Sequence, residues 1–198
     1  MRVLGALVAV AALACSESAT ITPPMAVDVN VTEHDVWATV ITDLCSHFRE
    51  GPALLSANPL QGFQAFLQEE SWSDSLWLKS FTDSVPGLDR EIFASFHRRN
   101  ADSGSIETPL HLGVPYFWIT RDQLLAGRVV GHPNHPYGVD DHLIIGLSHV
   151  GFTRDYRWAI LYRTYSCGPL CGAGEFLLME QNGDDIWRIR QAQVAWVS

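Results

Sequence analysis

Two segments in the first half of the chain place apolar residues three and four positions apart, a spacing that predicts amphipathic helices. The first segment begins at Thr32, which forms a pattern like a capping box with Asp35, and is followed by the helix-ending residues Gly51 and Pro52. The second runs into a polar stretch at 97–100. The apolar positions are Val36, Trp37, Val40, Ile41, Leu44, Cys45 and Phe48 in the first segment, and Leu88, Ile92, Phe93 and Phe96 in the second.

The second half of the chain predicts strands joined by short turns, whereas residues 53–85 show an apolar patch without a clear period. Asn182 followed by Gly183 is a hairpin signal, because both residues tolerate positive φ. Sequential strands joined in this way form a meander. We therefore predict an α+β protein in which N-terminal helices pack on a C-terminal antiparallel β-meander. The predicted strands are 115–120, 143–147, 157–166, 174–180 and one strand or a pair over 186–198.

The N-terminus has the pattern of a secretory signal peptide. Arg2 supplies a positive charge, and residues 3–14 are small or apolar throughout, in a run too short for a bilayer span of about 20 residues. We expect residues 1–14 to be a signal peptide. The Ser-, Thr- and Pro-containing residues 15–30 are expected to form a tether, and residues 31–198 a single α+β domain.

Cys15 directly follows small residues at the predicted cleavage point. This arrangement resembles the bacterial lipobox, in which the cysteine thiol is diacylated, with Ala12 where Leu is usual. Two acyl chains would anchor the protein stably, and Ser16 after the cysteine implies the outer membrane by the same resemblance. Plain secretion without lipid is the alternative. The expected location is the outer face of a bacterial membrane, the periplasm or the medium.

The composition is that of a folded, acidic protein. The chain has 198 residues, 47% of them hydrophobic, which is enough for one domain with a real core. Its formal charge of −9 argues against binding to nucleic acid and against charge-driven binding to anionic lipid. The expected partners are therefore the membrane, through a lipid anchor, and an envelope protein or ligand.

Three cysteines lie within the predicted domain. Cys45 falls on the apolar stripe of the first helix, which predicts a buried thiol. Cys167 and Cys171 are expected to form a disulfide in an oxidising compartment. A thiol-redox centre and a metal site are the alternatives for this pair, although a thioredoxin-like centre has two intervening residues and lies at the start of a helix.

A histidine-rich loop spans residues 132–142. Its imidazoles and carboxylates could bind zinc or copper through His132, His135, Asp140 and His142. The prolines and glycine of this segment place these residues on a loop, which could either wrap an ion or remain solvated. No His-Glu-x-x-His pattern occurs, so a metalloprotease site is excluded.

The polar end of the second predicted helix contains Arg98 and Arg99. This pair could bind an anion such as a carboxylate or phosphate group, or could complement the helix dipole and a nearby acid. Ser148 and His149 do not form a nucleophile and base, because neighbouring residues on a strand point to opposite faces and the glycine spacing of a nucleophile elbow is absent.

Five segments of the chain together carry a resemblance to a known group of proteins. They are Phe96-His97-Arg98-Arg99-Asn100, Ser148-His149-Val150-Gly151-Phe152, Trp158-Ala159-Ile160-Leu161-Tyr162, Cys167-Gly168-Pro169-Leu170-Cys171-Gly172-Ala173-Gly174 and Trp196-Val197-Ser198. The pattern resembles a family of uncharacterised bacterial exported proteins and lipoproteins. That family has Phe-x-x-Arg-Asn, Ser-Arg-Val-Gly-Phe, Cys-Gly-x-Leu-Cys-Gly-x-Gly and a final Trp-x-Ser. His149 stands where the family has Arg. The resemblance implies a fold and an exported location, and no particular activity.

Two hypotheses for the function follow from the sequence. The first is a lipid-anchored envelope protein that acts as a non-enzymatic binding or structural module, since no catalytic set is strong enough to name a reaction. The second is a secreted metal-binding or thiol-redox protein that uses Cys167 and Cys171 or the 132–142 loop.

Overall fold

The computed structural model describes residues 29–48, 52–56, 76–101, 109–120, 122–123, 143–168 and 170–198. Within these residues the chain forms three helices and one seven-stranded sheet. The helices are α1 (Val29–His47), α2 (Leu76–Ser84) and α3 (Glu91–Ala101). The strands are β1 (Ala53–Ser56), β2 (Tyr116–Ile119), β3 (Ile144–Leu147), β4 (Gly151–Phe152), β5 (Trp158–Gly168), β6 (Cys171–Gln181) and β7 (Trp187–Val197).

The sheet is mixed, with the strand order β2-β1-β3-β5-β6-β7 and with β4 paired to β5. The strands β5, β6 and β7 are neighbours joined by hairpins and run antiparallel. In contrast, β1 runs parallel to both β2 and β3. Parallel pairs need a long crossover connection, and long stretches of chain separate these strands. The predicted α+β class is confirmed, whereas the antiparallel meander describes only one side of the sheet.

Both faces of the sheet are covered by helices, because the long central strands bury alternate residues on opposite sides. On β5, Ala159 and Leu161 pack with the apolar stripe of α1. The intervening residues Ile160 and Tyr162 pack with Phe81 of α2 and with the buried aromatic residues of α3. The sheet therefore separates α1 on one face from α2 and α3 on the other.

The two helical patterns of the sequence both form helices. α1 begins three residues earlier than Thr32, the predicted start, and ends at His47. α3 begins at Glu91, whose backbone N–H donates to the Asp89 carboxylate at 2.9 Å. β1 and α2 lie in the region for which the sequence predicted no clear element. Among the described helices, none has the length and apolar character needed to cross a membrane.

β3 and β4 pair with different parts of β5 and are interrupted at residues 148–150. After this break, Gly151 lies directly against α3. A Cβ atom at this position would lie 2.5 Å from both the Cβ and the backbone nitrogen of Phe96. Only glycine permits such a close approach of strand and helix. The break and α3 are therefore held together at one place in the fold.

Candidate functional site

The 148–150 break leaves backbone groups that the sheet cannot pair, and Ser148 replaces one of the missing bonds with its side chain. The Tyr162 N–H donates to Ser148 Oγ at 2.8 Å, and the Ser148 hydroxyl donates to the His149 carbonyl at 2.9 Å. The Ser148 carbonyl accepts a hydrogen bond from Trp37 Nε1 on α1 at 3.0 Å. Both partners of the Ser148 hydroxyl are thus backbone groups of the fold.

Asn100, at the end of α3, pairs with both backbone groups of His149. Its Nδ2 donates to the His149 carbonyl at 3.0 Å, and its Oδ1 accepts from the His149 N–H at 2.9 Å. The same Nδ2 donates to the Phe96 carbonyl at 2.8 Å. Buried backbone groups need partners of this kind, so Asn100 has a structural role in positioning the break.

Glu33 of α1 joins the break to both helical layers. Its side chain is only 5% exposed. One carboxylate oxygen accepts from the Val150 N–H at 2.6 Å and lies 3.3 Å from His149 Nδ1. The other accepts from Arg99 Nη2 at 2.6 Å. A buried carboxylate requires such a set of donors, and here α1, α3 and the break provide them.

A cleft of about 350 Å³ lies beside this arrangement, between α3 and the segment that joins β4 to β5. The residues that α3 contributes are spaced four, seven and eight positions from Glu91, so they share one face of the helix. Three of the eight lining residues are arginines, in a chain with a formal charge of −9. The lining residues are Glu91, Ser95, Arg98, Arg99, Phe152, Thr153, Arg154 and Tyr156.

The structure brings the predicted pair Arg98 and Arg99 to this cleft, and each arginine is partly neutralised. Arg98 Nη2 donates to Glu91 at 2.9 Å in an exposed ion pair. Arg99 Nη2 donates to the buried carboxylate of Glu33, and the Arg99 side chain itself is partly buried. The Nε of Arg99 is buried and has no hydrogen-bond partner among the described residues. A buried unpaired donor of this kind costs about 1–3 kcal/mol, and an acceptor beside it would offset that cost.

Arg154 is the third arginine of the cleft. It is exposed, and no hydrogen bond or ion pair joins it to the part of the chain that the structure describes. None of its five guanidinium N–H donors is used within these described residues. Arg163 on β5 is a contrasting case: it is 8% exposed and forms ion pairs with Asp43 and Glu175 at 3.2 and 2.8 Å. The charge of Arg163 is balanced by these two carboxylates, whereas no described carboxylate pairs with Arg154.

The turn that carries Arg154 is held by hydrogen bonds to the side chain of Asp155. The Thr153 hydroxyl donates to Asp155 Oδ1 at 2.6 Å, and the Arg157 N–H donates to the same oxygen at 3.2 Å. The hydrogen bond from Thr153 lowers the pKa of Asp155 most, and the bond and charge of Arg157 contribute further. Tyr156, which follows Asp155 in the turn, has a backbone φ of 56°. This conformation is rare for a bulky side chain and costs on the order of 1–3 kcal/mol.

Cys167 and Cys171 are paired as a disulfide, with Cα atoms 5.1 Å apart. They lie at the end of the β5–β6 hairpin, and Gly168 between them has a φ of 138°. The first cysteine is on a strand and does not begin a helix, so the structure provides no helix N-terminus to activate its thiolate. Cys45 is a free, half-buried thiol on α1, and burial raises its pKa.

The other predicted site residues lie outside the described residues. These are Cys15, proposed for lipidation, and the possible metal ligands His132, His135, Asp140 and His142. Within the described residues, no group of three or more His, Cys, Asp or Glu side chains could hold a metal ion. The hypothesis of metal binding by the 132–142 loop therefore stays a prediction.

The sequence did not reveal Glu33, Arg154 or Tyr156 as site residues. Glu33 had a usable signal, because it lies three and four residues before Val36 and Trp37 and so falls on the apolar stripe of α1. A carboxylate on an apolar stripe needs buried partners. Arg154 had no such signal, because an arginine in a polar turn is ordinary.

Comparisons of the chain with models of known protein families, with curated proteins and with solved structures found no match. The resemblance to exported bacterial proteins stays a prediction. The assignment of a function accordingly depends on the cleft and on the groups that line it.

Proposed function

We propose that this protein is an exported, lipid-anchored envelope protein whose α+β domain is a non-enzymatic module that binds a small anion. The binding site is the cleft between α3 and the segment that joins β4 to β5. The observation that carries this proposal is Arg154, whose guanidinium has no partner among the described residues and which shares the cleft with Arg98 and Arg99.

The chemistry of the cleft favours an anion because nearly all its polar groups are donors. A guanidinium presents a planar set of N–H groups that matches the oxygens of a carboxylate or phosphate group. Arg98 and Arg99 each use one nitrogen for a carboxylate of the protein and keep others. Arg154 uses none within the described structure.

The contacts of the nearby Ser148 and His149 favour binding over catalysis. The Ser148 hydroxyl bonds two backbone groups and is fully buried, so it is a component of the sheet rather than a nucleophile. His149 faces Glu33 through Nδ1, and its backbone is held by Asn100. These groups position the break against α1 and α3.

Isothermal titration of the domain with inorganic phosphate, and separately with sulfate, tests anion binding. We expect the variant Arg154→Gln to bind about tenfold more weakly or worse, since a hydrogen bond to a charged group contributes roughly 1.5–3 kcal/mol. Arg190→Gln is the matched control, because Arg190 is exposed on β7 and outside the cleft lining. Equal binding by both variants, or no binding of any anion tested, would contradict the proposal.

The anchor is tested separately on the full chain expressed in a bacterium. We expect the mature protein to begin at Cys15 with acyl chains attached, and mass spectrometry of its N-terminus measures this. The variant Cys15→Ser should leave the membrane fraction, whereas Cys45→Ser should stay in it. A native protein that still begins at Met1 in the cytosol would contradict export and anchoring together.

A further inference from the structure

The cleft is larger than an inorganic anion needs. Its volume of about 350 Å³ falls within the range of pockets for small organic molecules. Phosphate or sulfate bound to Arg98, Arg99 and Arg154 would leave the remaining walls of the cleft without contacts. The groups on those walls therefore indicate the rest of the ligand.

Glu91 is the only acidic residue of the lining, and its side chain is 35% exposed. A carboxylate repels a bare anion, so it opposes a site whose ligand is only an anion. The same carboxylate is a strong acceptor for hydroxyl donors. One oxygen of Glu91 already accepts from Arg98, and the other has no partner within the described structure. Glu91 thus favours a ligand that carries both a negative charge and hydroxyl groups.

Ser95 adds a second polar contact on the same face of α3. Its Oγ accepts the Phe152 N–H at 3.2 Å, which leaves the hydroxyl proton free to donate. No described group accepts that proton. Ser95 and Glu91 therefore form a donor and an acceptor one helical turn apart, a pair suited to neighbouring hydroxyl groups of one molecule.

Tyr156 provides an aromatic wall. Its ring packs against Phe152 with ring centroids 5.4 Å apart, and the residue has positive φ. Backbone strain of this kind persists only where the surroundings hold the residue in place. An aromatic ring that lines a cleft next to hydroxyl-binding groups offers an apolar face to a saturated ring.

From these groups together we infer that the cleft binds an anionic monosaccharide, with a carboxylate or phosphate group on the three arginines. Its hydroxyl groups contact Glu91 and Ser95, and its ring lies against Tyr156. This inference rests on the proposed anion-binding function and adds the chemical class of the ligand.

Isothermal titration of the purified protein with four probes tests the inference: inorganic phosphate, glucose 6-phosphate, glucuronate and glucose. We expect at least one of the two sugar anions to bind about tenfold or more tightly than phosphate, and glucose to give no measurable binding. Preference for glucose 6-phosphate identifies a phosphate group as the ligand's anion, and preference for glucuronate identifies a carboxylate.

Two variants distinguish the binding of an anionic sugar from the binding of an anion alone. Glu91→Gln should strengthen phosphate binding and reduce the advantage of the sugar anions to about threefold or less. Tyr156→Gly should weaken binding of the sugar anions more than binding of phosphate and so reduce that advantage, and glycine accepts the positive φ of this position. Arg190→Gln should behave as the unaltered domain.

Each other outcome has a definite meaning. If phosphate binds and neither sugar anion binds more tightly, or if the two variants keep the full advantage, the inference is wrong and the anion-binding function stands. If no probe binds, or if glucose binds as tightly as its phosphate, the anion-binding function is wrong as well.

Discussion

Glu33 and Arg99 form an ion pair, with Oε2 and Nη2 2.6 Å apart, between helices that cover opposite faces of the sheet. The other carboxylate oxygen of Glu33 holds the backbone of Val150. One side chain therefore joins α1, α3 and the break between β3 and β4. The same contact positions Arg99 at the wall of the cleft.

The first prediction concerns the stability that Glu33 contributes. Glu33→Ala leaves the Val150 N–H and the Arg99 guanidinium without their carboxylate, so the free energy of unfolding should fall by about 3 kcal/mol. Asp35→Ala is the control on the same helix, because Asp35 is exposed, and should change it by less than about 0.5 kcal/mol. Urea denaturation measures both variants. Equal stability of Glu33→Ala and Asp35→Ala would show that the contacts of Glu33 with Val150 and Arg99 do not stabilise the fold.

Gly151 gives a second prediction about the approach of α3 to the sheet. Gly151→Ala forces a Cβ against the backbone of Phe96 and should destabilise the domain by about 3 kcal/mol. Gly113→Ala is the matched change, since nothing lies within 4 Å of its added Cβ. Thermal unfolding should show a lower midpoint for the first variant alone. A midpoint for Gly151→Ala close to that of the unaltered domain would contradict the close contact.

The turn beside the cleft should depend on pH through Asp155. Its folded pKa is lowered, chiefly by the Thr153 hydroxyl, so its contribution to stability is complete above the unfolded carboxyl pKa of about 3.9. That contribution is lost as the pH falls through the lower folded value. The stability difference between the unaltered domain and Asp155→Asn should therefore shrink below a pH of about 4 in urea titrations. A stability difference that stays constant as the pH falls below about 4 would show that ionisation of Asp155 does not stabilise the turn.

The disulfide between Cys167 and Cys171 should stabilise mainly the short hairpin loop that it closes. Replacing Cys167 and Cys171 together with serine opens a very short loop, and the loss of stability should be about 2 kcal/mol or less. Phosphate binding at the cleft should not change, because neither cysteine lines it. Reducing agent should affect the unaltered domain and not the double variant. A change in anion affinity on reduction would instead favour a redox function.

The sequence predicted those elements that can be recognised from residues close together along the chain. The apolar stripes of α1 and α3 follow directly from burial on one side of a helix. A turn over residues 182–186 does join β6 and β7, although its positive φ falls on Asp185 and not on Asn182 or Gly183. The four-residue β1 was missed because it is buried without alternation and pairs with strands far along the chain.

The candidate site was predicted only in part, for a related reason. Arg98 and Arg99 could be named because they follow a helical stripe. Arg154 and Tyr156 reach the same cleft from a turn more than fifty positions later, and only the folded sheet brings that turn to α3. The backbone contacts of Glu33 depend on the break in the strand, and no pattern of residue types shows where a strand is interrupted.

The location of a bound anion tests the account most directly. Nuclear magnetic resonance of the isotopically labelled domain, titrated with phosphate, reports the backbone amides and the arginine Nε–H groups individually. We expect saturable shifts at Arg98, Arg99 and Arg154 and in the turn residues 153–157, with Arg190 unmoved. Saturable shifts centred elsewhere, or shifts at Arg190 as large as those at Arg154, would contradict an anion site in this cleft.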